Sequence, residues 1–127
     1  MTTSFHAVVQ IDHQQARVLQ FDAEHVHASR VKAHHHLTHQ HKSSVRTEHE
    51  FFGEVCDALE GITEVLVAGG HTAVADFERY ANKHRPALAK HLVGHELVDH
   101  PTEPQLVALA RQWFLKHDRM TGVPPPT

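Results

Sequence analysis

Histidines that could bind a metal ion are concentrated in one segment of this 127-residue chain. Seven of its sixteen histidines lie between residues 25 and 46. Imidazole groups suit zinc, nickel and copper, so one interpretation is a metal-binding loop. The spacing matches no standard zinc finger, and the segment contains no cysteine. We therefore expect no obligatory cofactor, and we keep a zinc or nickel site as the alternative, formed by His34, His36, His39 and His41.

The same segment has an unusual charge pattern. From His25 to Arg46 there is no acidic residue, whereas the rest of the chain has fifteen acidic residues against eight basic ones. Basic side chains can contact phosphates, and histidines can stack on bases and gain charge near pH about 6.5. A second acid-free basic stretch runs from Arg79 to Lys90. The residues therefore predict a nucleic-acid-binding surface that contains Arg30, Lys32, Lys42 and Arg46.

Catalytic arrangements find little support. A two-metal nuclease needs carboxylates at neighbouring strand ends, but the fourth predicted strand ends in Ala68-Gly69-Gly70, and Asp12 is more simply a turn residue. The two glycines before a helix form a weak candidate anion site, without the Lys-Ser or Lys-Thr of a P-loop. Cys56 lies among apolar residues and is expected in the core. The sequence thus identifies no catalytic residue and favours a protein that is not an enzyme.

Composition predicts one folded domain. The chain is 40% hydrophobic and 21% charged, which is typical of a soluble globular protein. A single cysteine cannot form an intramolecular disulfide and fits a reducing compartment. The N-terminal residues lack the basic start and the unbroken apolar run that predict a signal peptide, and no apolar run approaches the roughly 18 residues of a membrane span. We expect a domain over residues 1–120, a flexible tail over 121–127, a cytoplasmic location and no membrane partner.

Hydrophobic periodicity predicts five strands and three main helices. Thr47 and Gly61 are expected to begin and end the first helix, Thr72 to cap the second, and Thr102 to begin a capping box before the last. The strand and loop predictions are a hairpin over residues 5–21, a strand over 25–33, an exposed loop over 34–46, a strand over 64–68 and a strand that contains Leu97 and Val98.

The resulting order is β-β-β-α-β-α-β-α. It predicts an α/β fold of the ribonuclease H-like type, in which a mixed five-stranded sheet has helices on both faces. An open sheet of five strands leaves two edges, and a homodimer could form through one of them.

This element order resembles the middle domain of archaeal and eukaryotic class-1 peptide-chain release factors and Pelota. The likeness includes Ala68-Gly69-Gly70-His71, Phe77 and the closing segment up to Trp113, and it extends over residues 5–114. The chain is most similar to the small bacterial relatives of that domain, the translational machinery proteins.

The resemblance implies a role linked to RNA or the ribosome. In release factors the loop between the third strand and the first helix bears a Gly-Gly-Gln tip that works in the peptidyl-transferase centre. The His-rich loop occupies that position here, and Gln40 follows Thr38 and His39, which resist backbone shapes that glycine permits. We therefore do not assign peptide release to Gln40. The sequence predicts a non-enzymatic, translation-associated module that binds RNA or the ribosome.

Overall fold

The computed structural model describes residues 5–33 and 42–121, and it describes the side chains of all of these except 42–46 and 121. The strands are β1 (His6–Ile11), β2 (Gln15–Phe21), β3 (Val26–Lys32), β4 (Glu64–Gly69) and β5 (Leu92–Leu97). The helices are α1 (Lys42–Ala58), α2 (His71–His84), α3 (Pro86–Ala89) and α4 (Glu103–Thr121). The predicted order of strands and main helices is confirmed. The short helix α3 begins at Pro86, as expected, but Leu92, which was expected in this helical turn, begins β5.

The five strands form one mixed sheet in the order β3-β2-β1-β4-β5. β1 pairs in parallel with β4, and β4 with β5, whereas β1–β2 and β2–β3 are antiparallel. Ile11 and Gly69 are register partners, and Lys32 pairs with Gln15, so β1, β3 and β4 all end at one side of the sheet. We call this side, which also contains the end of β5, the carboxyl edge.

Helices cover both faces of the sheet, as the fold class predicts. Val9 and Val67 belong to a core shared with α1 and α2, whereas Val8 and Leu66 belong to a core shared with α4. Because successive strand residues point to opposite faces, β1 and β4 are buried on both sides, and this burial explains their nearly unbroken apolar runs. Among the described helices, none combines the length and apolarity needed to cross a membrane.

Two predicted helix boundaries are wrong and two are confirmed. α1 begins at Lys42, inside the predicted loop, and Thr47 is buried within the helix instead of capping it. Thr72 lies inside α2, whose first turn has no side-chain cap. Burial of Thr47 explains the first error, whereas Thr72 is exposed and simply lies one residue inside α2.

The two confirmed boundaries are at Gly61 and Thr102. Gly61 adopts φ +84° after α1. Thr102 forms its capping box: Gln105 N donates to Thr102 Oγ1 at 3.3 Å, and Thr102 N donates to Gln105 Oε1 at 2.9 Å.

A polar cluster interrupts the apolar layer under α4. His6 of β1 and Glu64 of β4 are register partners on adjacent strands, and Asp118 of α4 lies above them. His6 Nε2 is 3.0 Å from both Glu64 Oε1 and Asp118 Oδ2. All three residues are buried, and the Phe114 ring stacks on the imidazole with a centroid distance of 4.1 Å. This His6 cluster (His6, Glu64 and Asp118) fixes the last turns of α4 to the sheet.

Burial changes the protonation of this cluster. It raises the pKa of Glu64 from an ordinary value of 4.5 to about 7, and the hydrogen bond with Asp118 acts in the same direction. Burial also lowers the pKa of His6, although the hydrogen bond with Asp118 opposes this change. The neutral forms of Glu64 and His6 are therefore the ones that the folded state favours.

We predict that Glu64→Gln removes a pH-dependent loss of stability. The folded pKa of Glu64 lies above the unfolded one, so its contribution to stability is fully present below pH 4.5 and is lost as pH rises through about 7. The loss amounts to at most roughly 3 kcal/mol. Denaturant unfolding with a chelator present measures it: the stability of the wild type minus that of the variant should decrease over this window. A difference that does not change with pH contradicts the prediction.

The carboxyl edge also contains a close backbone approach. Gly69 has φ +150°, and a Cβ atom there would lie 2.3 Å from the carbonyl oxygen of Ile11. A Cβ atom on Gly70 would meet nothing within 4 Å. The first glycine is therefore required by the pairing of β1 with β4, whereas the second is not.

Accordingly, Gly69→Ala should lower the free energy of unfolding by more than about 2 kcal/mol, because a clash with backbone must be relieved by moving a central strand. Gly70→Ala is the matched control and should cost about 1 kcal/mol or less. Chemical denaturation of both variants checks the difference. Equal destabilisation would show that the close approach does not limit stability.

Candidate nucleic-acid interface

Two of the predicted phosphate-binding residues lie on the outer strand of the sheet. Arg30 and Lys32 are exposed residues of β3. The antiparallel register places Arg30 opposite Arg17 and Lys32 opposite Gln15. Since register partners share a face, Arg17, Arg30 and Lys32 lie on the face that α4 covers elsewhere. We call these three residues the β2–β3 basic surface.

The charges of this surface are not neutralised within the part of the chain that the structure describes. Arg17 donates from Nε to Gln10 Oε1 and from Nη2 to the Pro101 carbonyl oxygen, both at 2.7 Å. These acceptors are neutral, so they orient the guanidinium group without compensating it. Arg17, Arg30 and Lys32 form no ion pair with any described residue. Like charges directly opposite each other on a sheet are unfavourable, and a bound anion would relieve their repulsion.

A shallow hollow lies between the two arginines. It measures about 200 Å³ and is open to solvent, with Leu19 and Ala28 as its apolar lining and Arg17, Ser29, Arg30 and Glu103 as its polar lining. Glu103 is the acidic residue in this lining, and it limits the positive potential on the α4 side. The hollow is therefore suited to one anionic group approached from the β3 side.

The remaining predicted site residues are only partly located. Lys42 and Arg46 belong to the first two turns of α1, and their side chains lie outside the described residues. The proposed metal ligands His34, His36, His39 and His41, together with Gln40, also lie outside them. Because β3 ends at the carboxyl edge, the connection to α1 starts there. The roles of these residues therefore stay predictions. The structure shows only that β3, which precedes their segment, ends at the carboxyl edge.

The second basic stretch, from Arg79 to Lys90, is partly compensated. Arg79 Nη1 is 3.2 Å from Asp76 Oδ1, and Arg85 Nη2 is 2.9 Å from Asp57 Oδ1. These pairs reduce the positive field of the stretch. It runs along α2 away from the carboxyl edge, so it does not extend the β2–β3 basic surface.

A small, partly exposed group of metal-type ligands lies at the carboxyl edge. His13, Glu48 and Asp76 come from the β1–β2 turn, α1 and α2, and their ligand atoms lie within 4.8 Å of one another. His13 Nε2 is 3.5 Å from Asp76 Oδ2. No sequence spacing indicates this group, because its members are brought together only by the fold.

Asp12 and Cys56, which were not assigned a catalytic role from the sequence, have structural roles in the fold. Asp12 Oδ1 accepts the backbone N–H groups of Gln14 and Gln15 at 2.7 and 2.8 Å, which is the role of a turn residue. Cys56 is buried, and burial raises the pKa of its thiol to about 11. A thiol of that pKa is not an active nucleophile at neutral pH.

Solved structures with the same arrangement of elements identify the architecture. Pelota from Archaeoglobus fulgidus is similar with a TM-score of 0.63 and 18% identity, over 92% of this chain and 35% of that one. The fold is shared with Pelota. The archaeal translation termination factor aRF1 has a TM-score of 0.58 and 13% identity, over 92% and 41% of the two chains. Dom34 from S. cerevisiae has a TM-score of 0.57 and 10% identity, over 91% and 36%.

These likenesses concern one part of larger proteins. The chain spans between about a third and two-fifths of the length of the Pelota, aRF1 and Dom34 chains. No protein-family model matches the sequence, and no curated protein matches it. The similarity therefore establishes the fold and confirms the structural resemblance to release-factor-like domains.

Proposed function

We propose that this protein is a translation-associated module that binds RNA on the ribosome and has no peptide-release activity. Its fold neighbours support the translation context. Archaeal Pelota is described in a ribosome-bound form with ABCE1, and Dom34 is described as a translation termination-like factor involved in RNA quality control pathways and interacting with Hbs1. The chain contains no Gly-Gly-Gln sequence, which supports a role other than release. A cytoplasmic location follows from this proposal.

The observation that supports RNA binding most directly is the uncompensated pair formed by Arg17 and Arg30. Two guanidinium groups opposite each other on neighbouring strands, with neutral acceptors holding one of them, favour an anion between them. Lys32 adds a further cation two residues along the same face. A phosphate of the RNA backbone has the charge and the acceptor geometry that this arrangement recognises.

The segment after β3 extends this surface in our proposal. Lys42, Arg46 and the histidines of residues 34–41 follow from the carboxyl edge, and no acidic residue separates them from Arg30. Contacts to phosphates would come from the lysine and arginine side chains, and protonated imidazoles would add charge. The narrower assignment to the bacterial translational machinery proteins depends on the sequence resemblance alone.

We predict that binding to ribosomes depends steeply on salt and requires the β2–β3 basic surface. The double variant Arg30→Ala/Lys32→Ala should weaken binding at least tenfold near physiological salt and should reduce the slope of log K against log[salt] by about 1.5, since two phosphate contacts are lost. Co-sedimentation with purified bacterial and archaeal ribosomes across a salt series measures both quantities.

The control is Lys83→Ala/Lys90→Ala, which removes the same charge from exposed positions away from the carboxyl edge. It should leave both affinity and slope nearly unchanged. Equal losses in the two double variants would mean that net charge, and not this surface, controls binding. A binding constant that does not respond to salt would overturn the electrostatic proposal altogether.

The same binding should strengthen below neutral pH. Lowering the pH from about 8 to about 6 protonates exposed imidazoles, and we expect a severalfold gain in ribosome affinity. A variant with His34, His36, His39 and His41 changed to Ala should lose most of this gain while keeping its affinity at pH about 8. If that variant keeps the full pH response, the loop histidines have no part in binding.

Metal binding by the His-rich segment is the second candidate function. The observation in its favour is that His13, Glu48 and Asp76 gather ligand atoms at the edge from which residues 34–41 depart. Zinc or nickel bound by His34, His36, His39 and His41 would add positive charge to the same region. A thermal shift on adding zinc that disappears in the four-histidine variant supports this candidate.

A homodimer that forms through an edge strand is a further proposal. β3 and β5 are the edge strands of the sheet, and charged side chains on β3 disfavour pairing with a second copy there. Sedimentation equilibrium of the purified protein would determine the oligomeric state.

A further inference from the structure

The His6 cluster has a fourth neighbour of metal-binding type. His117 Nε2 lies 3.7 Å from Glu64 Oε2, on the side of that carboxylate away from His6. His117 is half-buried and stacks on Trp113 with a centroid distance of 4.8 Å. Two imidazoles and two carboxylates therefore converge between the start of the sheet and the end of α4.

The spacing of these groups is close to that of a coordination sphere. In a tetrahedral zinc site with bonds of about 2.0–2.1 Å, ligand atoms are separated by roughly 3.3 Å. His6 Nε2 is 3.0 Å from Glu64 Oε1 and 3.0 Å from Asp118 Oδ2. The ligand atoms of these three residues all lie within 4.8 Å of one another. A cation would be reached by changes in side-chain torsions, without movement of a strand.

The backbone holds the ligands in place before any ion arrives. His6 and Glu64 are register partners at the starts of two adjacent inner strands of the sheet. Phe114 and Phe5 contact the His6 ring, at centroid distances of 4.1 and 4.7 Å. Ligands on rigid elements lose little freedom on binding, so they favour a defined geometry.

Two acidic side chains that are buried beside each other cannot both ionise without a compensating cation. A buried charge is costly unless a partner compensates it, and Glu64 and Asp118 are 7% and 3% exposed. A divalent cation would compensate both carboxylates at once, which a neutral imidazole cannot do. The donor set of nitrogen and oxygen atoms suits zinc or another late transition metal better than calcium or magnesium.

An entry route reaches the cluster from solvent. A hollow of about 180 Å³ is lined by His6, Asp118, Phe21 and Arg111, among others. Arg111 is the cationic group in its lining; its Nη1 donates to the Ala23 carbonyl oxygen at 3.1 Å, and its guanidinium lies 5.6 Å from the centroid of the Phe21 ring. These contacts hold the Arg111 guanidinium against the wall of the hollow. A hydrated metal ion that enters the hollow would therefore contact His6 and Asp118.

We propose that His6, Glu64 and Asp118, with His117 as fourth ligand, form a buried site for a divalent transition-metal ion of the zinc type. The ion would join β1 and β4 to α4 and have a structural role. This site is separate from the His-rich segment and does not depend on the proposed RNA-binding function.

The test begins with tag-free protein in which His34, His36, His39 and His41 are Ala, so that the His-rich segment no longer competes for metal. This background should bind one Zn²⁺ per chain by elemental analysis, and its Tm should rise with Zn²⁺ concentration. Adding Glu64→Gln or Asp118→Asn should weaken zinc binding at least tenfold. Both changes keep side-chain size, and the first mimics a protonated Glu64, so the fold should survive.

The matched control is Glu48→Gln, which alters the group of His13, Glu48 and Asp76 at the carboxyl edge and should leave zinc binding unchanged. A background protein that binds no zinc, a Glu64→Gln variant that binds it undiminished, or a loss caused by Glu48→Gln would each overturn the proposal.

A second readout avoids changes in the core. Imidazole nitrogen resonances of His6 and His117 should shift on adding Zn²⁺ to the background protein. If they do not move while zinc binds, the ion is held elsewhere.

Discussion

The parallel pairing of β1 with β4 is the constraint on which the structure depends. Both strands are buried on two faces, so their backbone groups must be hydrogen-bonded to neighbouring strands and their side chains packed against two helical layers. The register of this pair brings Ile11 against Gly69 at one end of the sheet and His6 beside Glu64 at the other. A shift by one residue would turn the apolar sets to the wrong faces. The close glycine contact and the buried polar cluster are therefore two consequences of one alignment.

The two ends of the sheet differ in chemistry. The carboxyl edge is exposed, and near it the chain places Arg17, Arg30 and Lys32 without described carboxylate partners. At the opposite end, the ionisable groups of the His6 cluster are buried and hydrogen-bonded under α4. This separation agrees with a division of roles, in which the exposed end contacts a polyanion and the buried end stabilises the domain. The ion pairs of Arg79 and Arg85 reduce the positive field of the second basic stretch.

Much of the fold could be predicted from the sequence, because the relevant signals are local or periodic. The apolar run at Val65–Val67, the glycine at Gly61 and the capping box at Thr102 each determine a feature through nearby residues. The prediction that Thr47 caps the first helix was wrong, because the burial of Thr47 depends on the tertiary fold and not on its sequence neighbours. Arg17 became part of the candidate surface only through the strand register. His6 was missed because its partners are 58 and 112 residues away along the chain, and no spacing rule covers such distances.

The position of α4 in the chain has a consequence for biosynthesis. This helix follows all five strands, and in the described structure it alone covers the sheet face that includes Val8 and Leu66. During synthesis, the sheet and its other helical layer can therefore fold while that face is still exposed to solvent. Such an intermediate exposes an apolar surface that chaperones recognise and that promotes aggregation. Completion of the domain would then coincide with the docking of Asp118 onto His6.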